Sequence, residues 1–291
     1  MKWLIATLVV LTAMSGSSFA ASPSAEAAPN IEVHPQQPSP NLSTAASDED
    51  TAAETALLES VNRSRKQAGV APVRMEESLR QAARFHARRM VATRQLEHQF
   101  PGEPSLLQRI ADVSSLPLDR AGENIANAGC PDDAHDLLMH SPHHRDNILD
   151  PHFNVAGIVA IWSHGRLYVV QDFGHAMPSY SAHETARSVG EALNQVRASN
   201  GLSELAPFSP PHLDEAACAL AKENRPNARM VAASYTNRKV ITYTQSTPDV
   251  LPPAASDVLE NPNLRHFAVG SCYARNAAYP TGIYWVAILL Y

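Results

Sequence analysis

The chain has 291 residues, 44% of them hydrophobic, which is enough for one large core or two of ordinary size. Its formal net charge of −6 and the lack of a Lys/Arg-rich tract argue against a general nucleic-acid-binding protein. After the first 20 residues no segment is long and apolar enough to span a membrane, so we expect no integral membrane segment in the mature chain.

The start of the chain, residues 1–20, has the pattern of a secretory signal peptide. A single lysine precedes an apolar run from Leu4 to Met14, which is too short for a bilayer, and Ser18-Phe19-Ala20 fits a small-x-small cleavage site. We therefore predict a secreted or periplasmic protein. Residues 21–50, rich in Ala, Ser and Pro without an apolar period, are predicted to be a disordered linker.

Two amphipathic helices are predicted next. The first begins near Thr51 and ends before Gly69, and the second covers about 76–93. Apolar or small residues and one histidine form a single stripe on the second helix: Leu79, Ala82, Ala83, His86 and Met90. We interpret His86 as a buried histidine hydrogen-bonded to a neighbour rather than as a ligand.

The following region is predicted to contain loops, a short helix and a hairpin. Residues 96–105 are loop, a helix covers about 132–140, and two apolar runs at 154–162 and 166–174 form a hairpin. Residues 141–147 are expected to be a loop, because Pro142 disfavours a helical residue before it and cannot donate within a helix. His140 and His144 should then not share a helical face.

The C-terminal part repeats this plan. Residues 189–224 restate 57–90 as two helices joined through an Asn-Gly turn. Two later segments, 258–271 and 282–291, restate the hairpin strands. An internal duplication predicts a second domain at 186–291. The alternative is a chance similarity between two helix–helix–hairpin units.

The chemistry is expected where His98, Glu123 and His144 converge. Two imidazoles and a carboxylate can hold a divalent cation such as zinc and polarise a water, or can bind a ligand by hydrogen bonds alone. The spacing leaves both possibilities open. The chain has no CxxC motif and no Cys/His zinc spacing, so a structural zinc knuckle is not expected.

Several motifs in order resemble the CAP superfamily of cysteine-rich secretory proteins, antigen 5 and plant pathogenesis-related proteins. They are GENIA, SPHHRDNILDPHF, NVAGIVA and LYVVQDFG, and they are most similar to the bacterial SCP-like branch. The resemblance covers about residues 52–175 and extends weakly to 186–291. It implies an α+β fold, an α-β-α sandwich at 51–176, with a second, degenerate copy following it.

By this resemblance the cleft residues are His98, Glu123 and His144, with His98 and His144 as the metal ligands. His143 takes the place of a family glycine. The remaining motif residues, Asn124, Arg145 and Asn147, are expected to support the cleft, the last two by orienting the loop through backbone hydrogen bonds.

The chain departs from the family at one acidic position. Animal and plant members have a second cleft glutamate near Ser141, and Asp136 is a less well-aligned substitute here. In the second copy the resemblance puts Ala254 or Pro253 near the place of His144, so no second cleft is expected.

Three functions follow from the resemblance. The first is an extracellular binding module for a cation or small ligand, with a lipid, glycan or cell-wall component as the partner. The second is a metal-assisted hydrolase with Glu123 as general base, and the third is a structural or interaction protein. The sequence has no nucleophile elbow, no HExxH and no recognisable Ser/His/Asp order, which favours binding.

The resemblance also bears on the three cysteines. In a CAP sandwich the helix carrying Cys218 and the strand carrying Cys272 pack together, so the two can be bridged. The alternative is two buried free thiols. Cys130 is then the unpaired one.

Overall fold

The computed structural model describes residues 49–291, so the predicted signal peptide and nearly all of the predicted linker lie outside the described residues. The helices are α1 Thr51–Gln67, α2 Glu77–Thr93, α3 Leu106–Val113, α4 Pro131–His140, α5 Pro142–Leu149, α6 Ala182–Ser199, α7 Leu213–Glu223, α8 Ala228–Ser234 and α9 Ala254–Leu259. The strands are β1 Arg74–Met75, β2 Leu118–Ala128, β3 Val155–Ser163, β4 Arg166–Ala176, β5 Ala206–Pro207, β6 Lys239–Gln245, β7 His266–Ala274 and β8 Ile283–Leu290. Within the described range, no helix combines the length and apolarity that a bilayer crossing needs.

Residues 49–176 form an α-β-α sandwich, which we call the N-terminal sandwich. Its sheet has the order β1-β3-β4-β2, antiparallel except for the short parallel pair of β1 with β3. Alternate residues of β3 enter two different cores: Ala156 and Ile158 pack with α1, α4 and α5, whereas Val155 and Val159 pack with the α2 side. Burial on both faces explains why this strand is a continuous apolar run, and the predicted fold class is confirmed.

A close approach between α2 and β3 fixes the spacing of two layers. A Cβ built on Gly157 would lie 2.1 Å from the carbonyl carbon of Leu79. Only a residue without a side chain lets the strand come this near to the helix backbone. The β3–β4 turn is equally specific, because His164 and Gly165 both have positive φ values, 51° and 74°.

Residues 182–291 form a second α-β-α arrangement, which we call the C-terminal sandwich. Its sheet order, β5-β7-β8-β6, repeats that of the first sheet, with α6 and α9 on one face and α7 and α8 on the other. It has no helix between β6 and α9, where the N-terminal sandwich has α4.

Buried polar contacts recur at matching places in the two sandwiches. Arg65 on α1 donates to the carbonyls of Ala71, Ile148, Asp150 and Phe153, and Arg197 on α6 donates to those of Ser203, Leu259 and Asn261. In both cases the guanidinium is fully buried and satisfies backbone acceptors that would otherwise lack partners. Matched strand order and matched buried arginines support the proposal of a tandem duplication.

The predicted loop at 141–147 is wrong, because these residues begin helix α5. Ser141 is extended, with φ −93° and ψ 118°, as expected for a residue before proline, and Pro142 is the first helical residue. Proline is favoured there, since its missing N–H has no intrahelical partner at that position and its fixed φ suits a helix. The preceding helix does end at His140, so His140 and His144 lie on separate helices, as predicted.

Cys218 and Cys272 form a disulfide that joins α7 to β7. The structure therefore selects the bridged alternative over two free thiols. Cys130 is free and partly exposed just before α4.

Candidate functional site

The structure brings His98, Glu123 and His144 together at one end of the N-terminal sandwich. The Nδ1 atom of His98 lies 2.9 Å from Oε1 of Glu123, and the rings of His98 and His144 have centroids 5.8 Å apart. The side chain of His98 is 53% exposed, whereas that of Glu123 is only 5% exposed. The two imidazoles thus form the open part of a cleft, with the carboxylate beneath them.

Each of the three residues comes from a different element. His98 lies in the loop after α2, Glu123 in β2, and His144 in the first turn of α5. Asn124 donates to the carbonyl of His144, and Asn147 donates to Oδ1 of Asn124 and to the carbonyl of Glu123. This pair of amides locks α5 against β2 and so sets the position of His144.

The adjacent motif residues His143 and Arg145 have no such role. Both are exposed on α5, and the Arg145 side chain makes no hydrogen bond within residues 49–291. Arg145 therefore does not orient this segment as expected. The reason is that 141–147 is helical: its backbone groups bond within the helix, and position 145 faces solvent.

His144 is held in its neutral form. Burial, and to a lesser degree the neighbouring His98 and His143, lowers the pKa of His144 below its usual 6.5. At neutral pH its imidazole therefore keeps a free lone pair, which ligation of a metal requires.

A buried network of charges lies beneath the cleft. Arg109 on α3 forms an ion pair with Oε2 of Glu123 and lies 3.7 Å from a carboxylate oxygen of Glu103. Glu103 in turn contacts Nδ1 of His86 at 2.8 Å, while Nε2 of His86 donates to the carbonyl of Glu97. His86 is thus the buried, hydrogen-bonded histidine that the helix pattern predicts.

Asp172 on β4 lies directly opposite Glu123 in the strand register and is fully buried. No donor group among the described residues reaches either of its carboxylate oxygens. Burial and the charge of Glu123 raise the pKa of Asp172 well above 3.8. These effects favour the protonated form of Asp172 beside the charged Glu123.

Sequence reasoning missed Arg109 and Asp172. Asp172 had a signal, since it follows Gln171 as a second polar residue inside the otherwise apolar run VVQDFG. Pairing that run with GENIA as antiparallel neighbours would have suggested a carboxyl pair. Arg109 had no such sequence signal, because α3 carries no motif of its own. Asp136, the candidate for the missing acidic residue, is exposed on α4 and lies beside His140 and Arg166, away from the cleft.

The donor set suits a cation held by the two imidazoles alone. Since the Nδ1–H of His98 donates to Glu123, its Nε2 lone pair is free, an arrangement typical of a carboxylate placed behind a metal-ligating histidine. Glu123 is itself fixed by Arg109. Within residues 49–291 no group of three or more His, Cys, Asp or Glu side chains has metal-binding geometry. The remaining coordination positions would fall to water or to an external ligand.

The C-terminal sandwich has no equivalent site in its described residues. Gly270 packs on the backbone of Leu213 as Gly157 packs on Leu79, which aligns the two sheets. In that alignment Thr242 and Ala287 face each other where Glu123 faces Asp172. A hydroxyl and a methyl group replace the carboxyl pair.

Comparison with known proteins identifies relatives of the N-terminal sandwich. The profile of the cysteine-rich secretory protein family, CAP, matches residues 58–173. The uncharacterized protein YkwD of Bacillus subtilis (strain 168) is 31% identical over 137 residues, which are 46% of this chain and 52% of that protein. The chain thus spans about half the length of this curated relative.

Solved structures give weaker likenesses. An outer surface protein from Borrelia burgdorferi is 16% identical, with a TM-score of 0.42 over 45% of this chain and 99% of that one. An extracellular protein containing a SCP domain, from Bacillus anthracis, is 22% identical, with a TM-score of 0.39 over 43% of this chain and 41% of that one.

Proposed function

Residues 58–173 form a CAP domain, and from this premise we propose that the protein is an exported binding module whose cleft holds a divalent cation, such as zinc, through His98 and His144. The observation that carries the proposal is the bond from Nδ1 of His98 to Glu123, which leaves the Nε2 lone pair of His98 free for a cation. The ring separation of 5.8 Å suits two imidazoles on one ion, because each zinc–nitrogen bond is about 2.0 Å.

An ion with two protein ligands keeps positions for a further ligand. Oxygen donors on an extracellular lipid, glycan or cell-wall component would complete the coordination shell. The exposed ring of His98 leaves the cleft open to such a molecule.

Metal-assisted hydrolysis with Glu123 as general base is less well supported. A general base must be free to accept a proton from a bound water. Glu123 is 5% exposed, ion-paired with Arg109 and hydrogen-bonded to His98, so both of its oxygens are engaged. A structural or interaction role fits the C-terminal sandwich, because its described residues carry no comparable site.

Zinc titration of two adjacent histidine variants tests the proposal. We expect His144→Ala to abolish zinc binding measured by calorimetry, while His143→Ala, the exposed neighbour on the same helix, leaves the affinity unchanged. Loss of binding in His143→Ala with retention in His144→Ala would reverse the assignment. No binding by the unaltered protein would refute the cation site altogether.

A further inference from the structure

The two sandwiches meet where residues 275–282 of the β7–β8 connection contact α3 and the start of β2. Arg275 donates from Nη1 to the carbonyl of Ala111 at 3.0 Å and from Nη2 to that of Leu116 at 3.5 Å. Thr281, which is buried, donates from its hydroxyl to the carbonyl of Leu118 at 2.8 Å. These contacts join the C-terminal sandwich to α3 and to the start of β2, the elements that lie beneath the cleft.

Helix α3 packs on α2 through Ile110, but both of its ends are weakly capped. It has 8 residues, Ser105 provides no side-chain cap at its start, and its last turn contains no basic residue. Asp112 in that turn puts a negative charge near the negative end of the helix dipole. A helix this short depends on tertiary contacts.

Arg275 supplies what the last turn of α3 lacks. The final carbonyls of a helix have no intrahelical donor, and a cation near them is stabilised by the helix dipole. The guanidinium of Arg275 occupies that position at the carbonyl of Ala111. The C-terminal sandwich therefore caps a helix of the N-terminal one.

Thr281 makes a comparable stabilising contact at the start of β2. The pairing of β2 with β4 is irregular between Leu118 and Arg120, so the ladder is interrupted at the strand start. Thr281 donates to Leu118 at this point. Its own place is fixed, because the Tyr273 hydroxyl donates to its carbonyl and Gly282, at φ 92°, has no room for a side chain beside the Tyr273 ring.

The two anchored elements, α3 and β2, bear the residues that support the cleft. Arg109 on α3 pairs with Glu123 on β2, and Glu123 accepts from His98. We propose that the C-terminal sandwich is a positioning element for the cleft: Arg275 and Thr281 hold α3 and β2 so that Arg109 fixes Glu123 and Glu123 fixes His98. The identity of the bound ion rests on the proposed function, but this positioning does not.

Amide hydrogen exchange and imidazole NMR on the full chain test this inference without any added metal. In Arg275→Ala/Thr281→Val we expect the amides of residues 109–113 to exchange at least about fivefold faster, a lower value for coupling between distant sites. The side-chain ¹⁵N signals of His98 should shift as its bond to Glu123 loosens. The single variant Arg275→Lys, which keeps the charge, should retain most of the protection of these amides against exchange.

A matched control is Arg225→Ala, which removes an exposed arginine of the same sandwich that pairs only with Glu223. It should leave α3 exchange and the His98 signals unchanged. If the double variant does not fold, Arg275→Ala alone decides, since Arg275 is exposed. Unchanged α3 exchange and unchanged His98 signals would overturn the inference. If both readouts move but the unaltered protein takes up no zinc, the positioning role stands and the cation proposal fails.

Discussion

Asp172 and Glu123 form a buried carboxyl pair, and the guanidinium of Arg109 pairs with Glu123. Two carboxylates this close and this buried cannot both be charged without a large cost. Arg109 balances Glu123, and the raised pKa of Asp172 favours its protonated form, which removes the second charge. The neutral form of Asp172 therefore stabilises the charged Glu123 on which the orientation of His98 depends.

The protonation of Asp172 makes stability depend on pH. Burial first, and the charge of Glu123 second, raise the pKa of Asp172 in the folded state, whereas in the unfolded chain an aspartate titrates near about 3.9. The folded state then holds a proton that the unfolded chain releases. The contribution of this group to the free energy of unfolding falls as pH rises above about 4 and through the folded-state pKa.

Asp172→Asn should remove this dependence, because an amide does not titrate and stays neutral. We expect the free energy of unfolding to vary less between about pH 4 and 7 than in the unaltered protein, and to be no lower at pH 7. Urea unfolding across that range measures it, with Asp146→Asn, at an exposed position on α5, as the control. An unchanged pH slope in Asp172→Asn would show that Asp172 is ionised in the folded state.

Among the elements, the contact between α2 and β3 fixes the layer spacing of the N-terminal sandwich. The loop carrying His98 leaves the end of α2, and β3 forms the middle of the same sheet that carries Glu123. Any shift of the helix away from the strand would move His98 relative to Glu123. The absence of a side chain at Gly157 is therefore a condition of the cleft as well as of the core.

Gly157→Ala should destabilise the protein and weaken zinc binding together. The added methyl group would lie 2.1 Å from the Leu79 carbonyl carbon, so the backbone must separate, at a cost of roughly 1–3 kcal/mol or more. Thermal unfolding and zinc calorimetry measure both effects. Gly129→Ala, where the nearest atom is a flexible Asp133 carboxylate oxygen at 3.1 Å, is the milder comparison. Equal stability of the two variants would contradict the close packing.

Sequence reasoning predicted the elements whose burial is periodic. The stripes on α1 and α2 and the apolar runs of β3 and β4 follow directly from which faces meet the core. It failed at Pro142, since a proline that ends one helix is also favoured as the first residue of the next. Sequence reasoning missed Arg109, because ion pairs across tertiary contacts leave no local pattern in the sequence.

The molecule as a whole consists of two sandwiches with one strand order, and among the described residues only the N-terminal sandwich brings two histidines and the buried carboxyl pair together. The C-terminal sandwich keeps the buried arginine and the glycine contact, but its strands carry Thr242 and Ala287 in place of the carboxyl pair. It also has the disulfide of Cys218 with Cys272, at positions where the first sandwich has Arg84 and Val159.

Replacing both bridged cysteines by alanine should lower the stability of the C-terminal sandwich. Closing a loop with a sequence separation of 54 residues stabilises the folded state by about 4 kcal/mol through the unfolded chain. Denaturant unfolding of Cys218→Ala/Cys272→Ala measures this loss, with Cys130→Ala as the control. Equal stability of the two variants would indicate that the bridge adds nothing to the fold.

The central claim is that two imidazoles, and not Glu123, ligate the cation. A crystal structure of the protein with zinc, with an anomalous difference map at the zinc edge, tests it most directly. We predict one peak about 2.0–2.1 Å from a ring nitrogen of both His98 and His144, with Glu123 still paired to Arg109. A peak bound to Glu123 with Arg109 displaced, or zinc only at His143, would contradict the account.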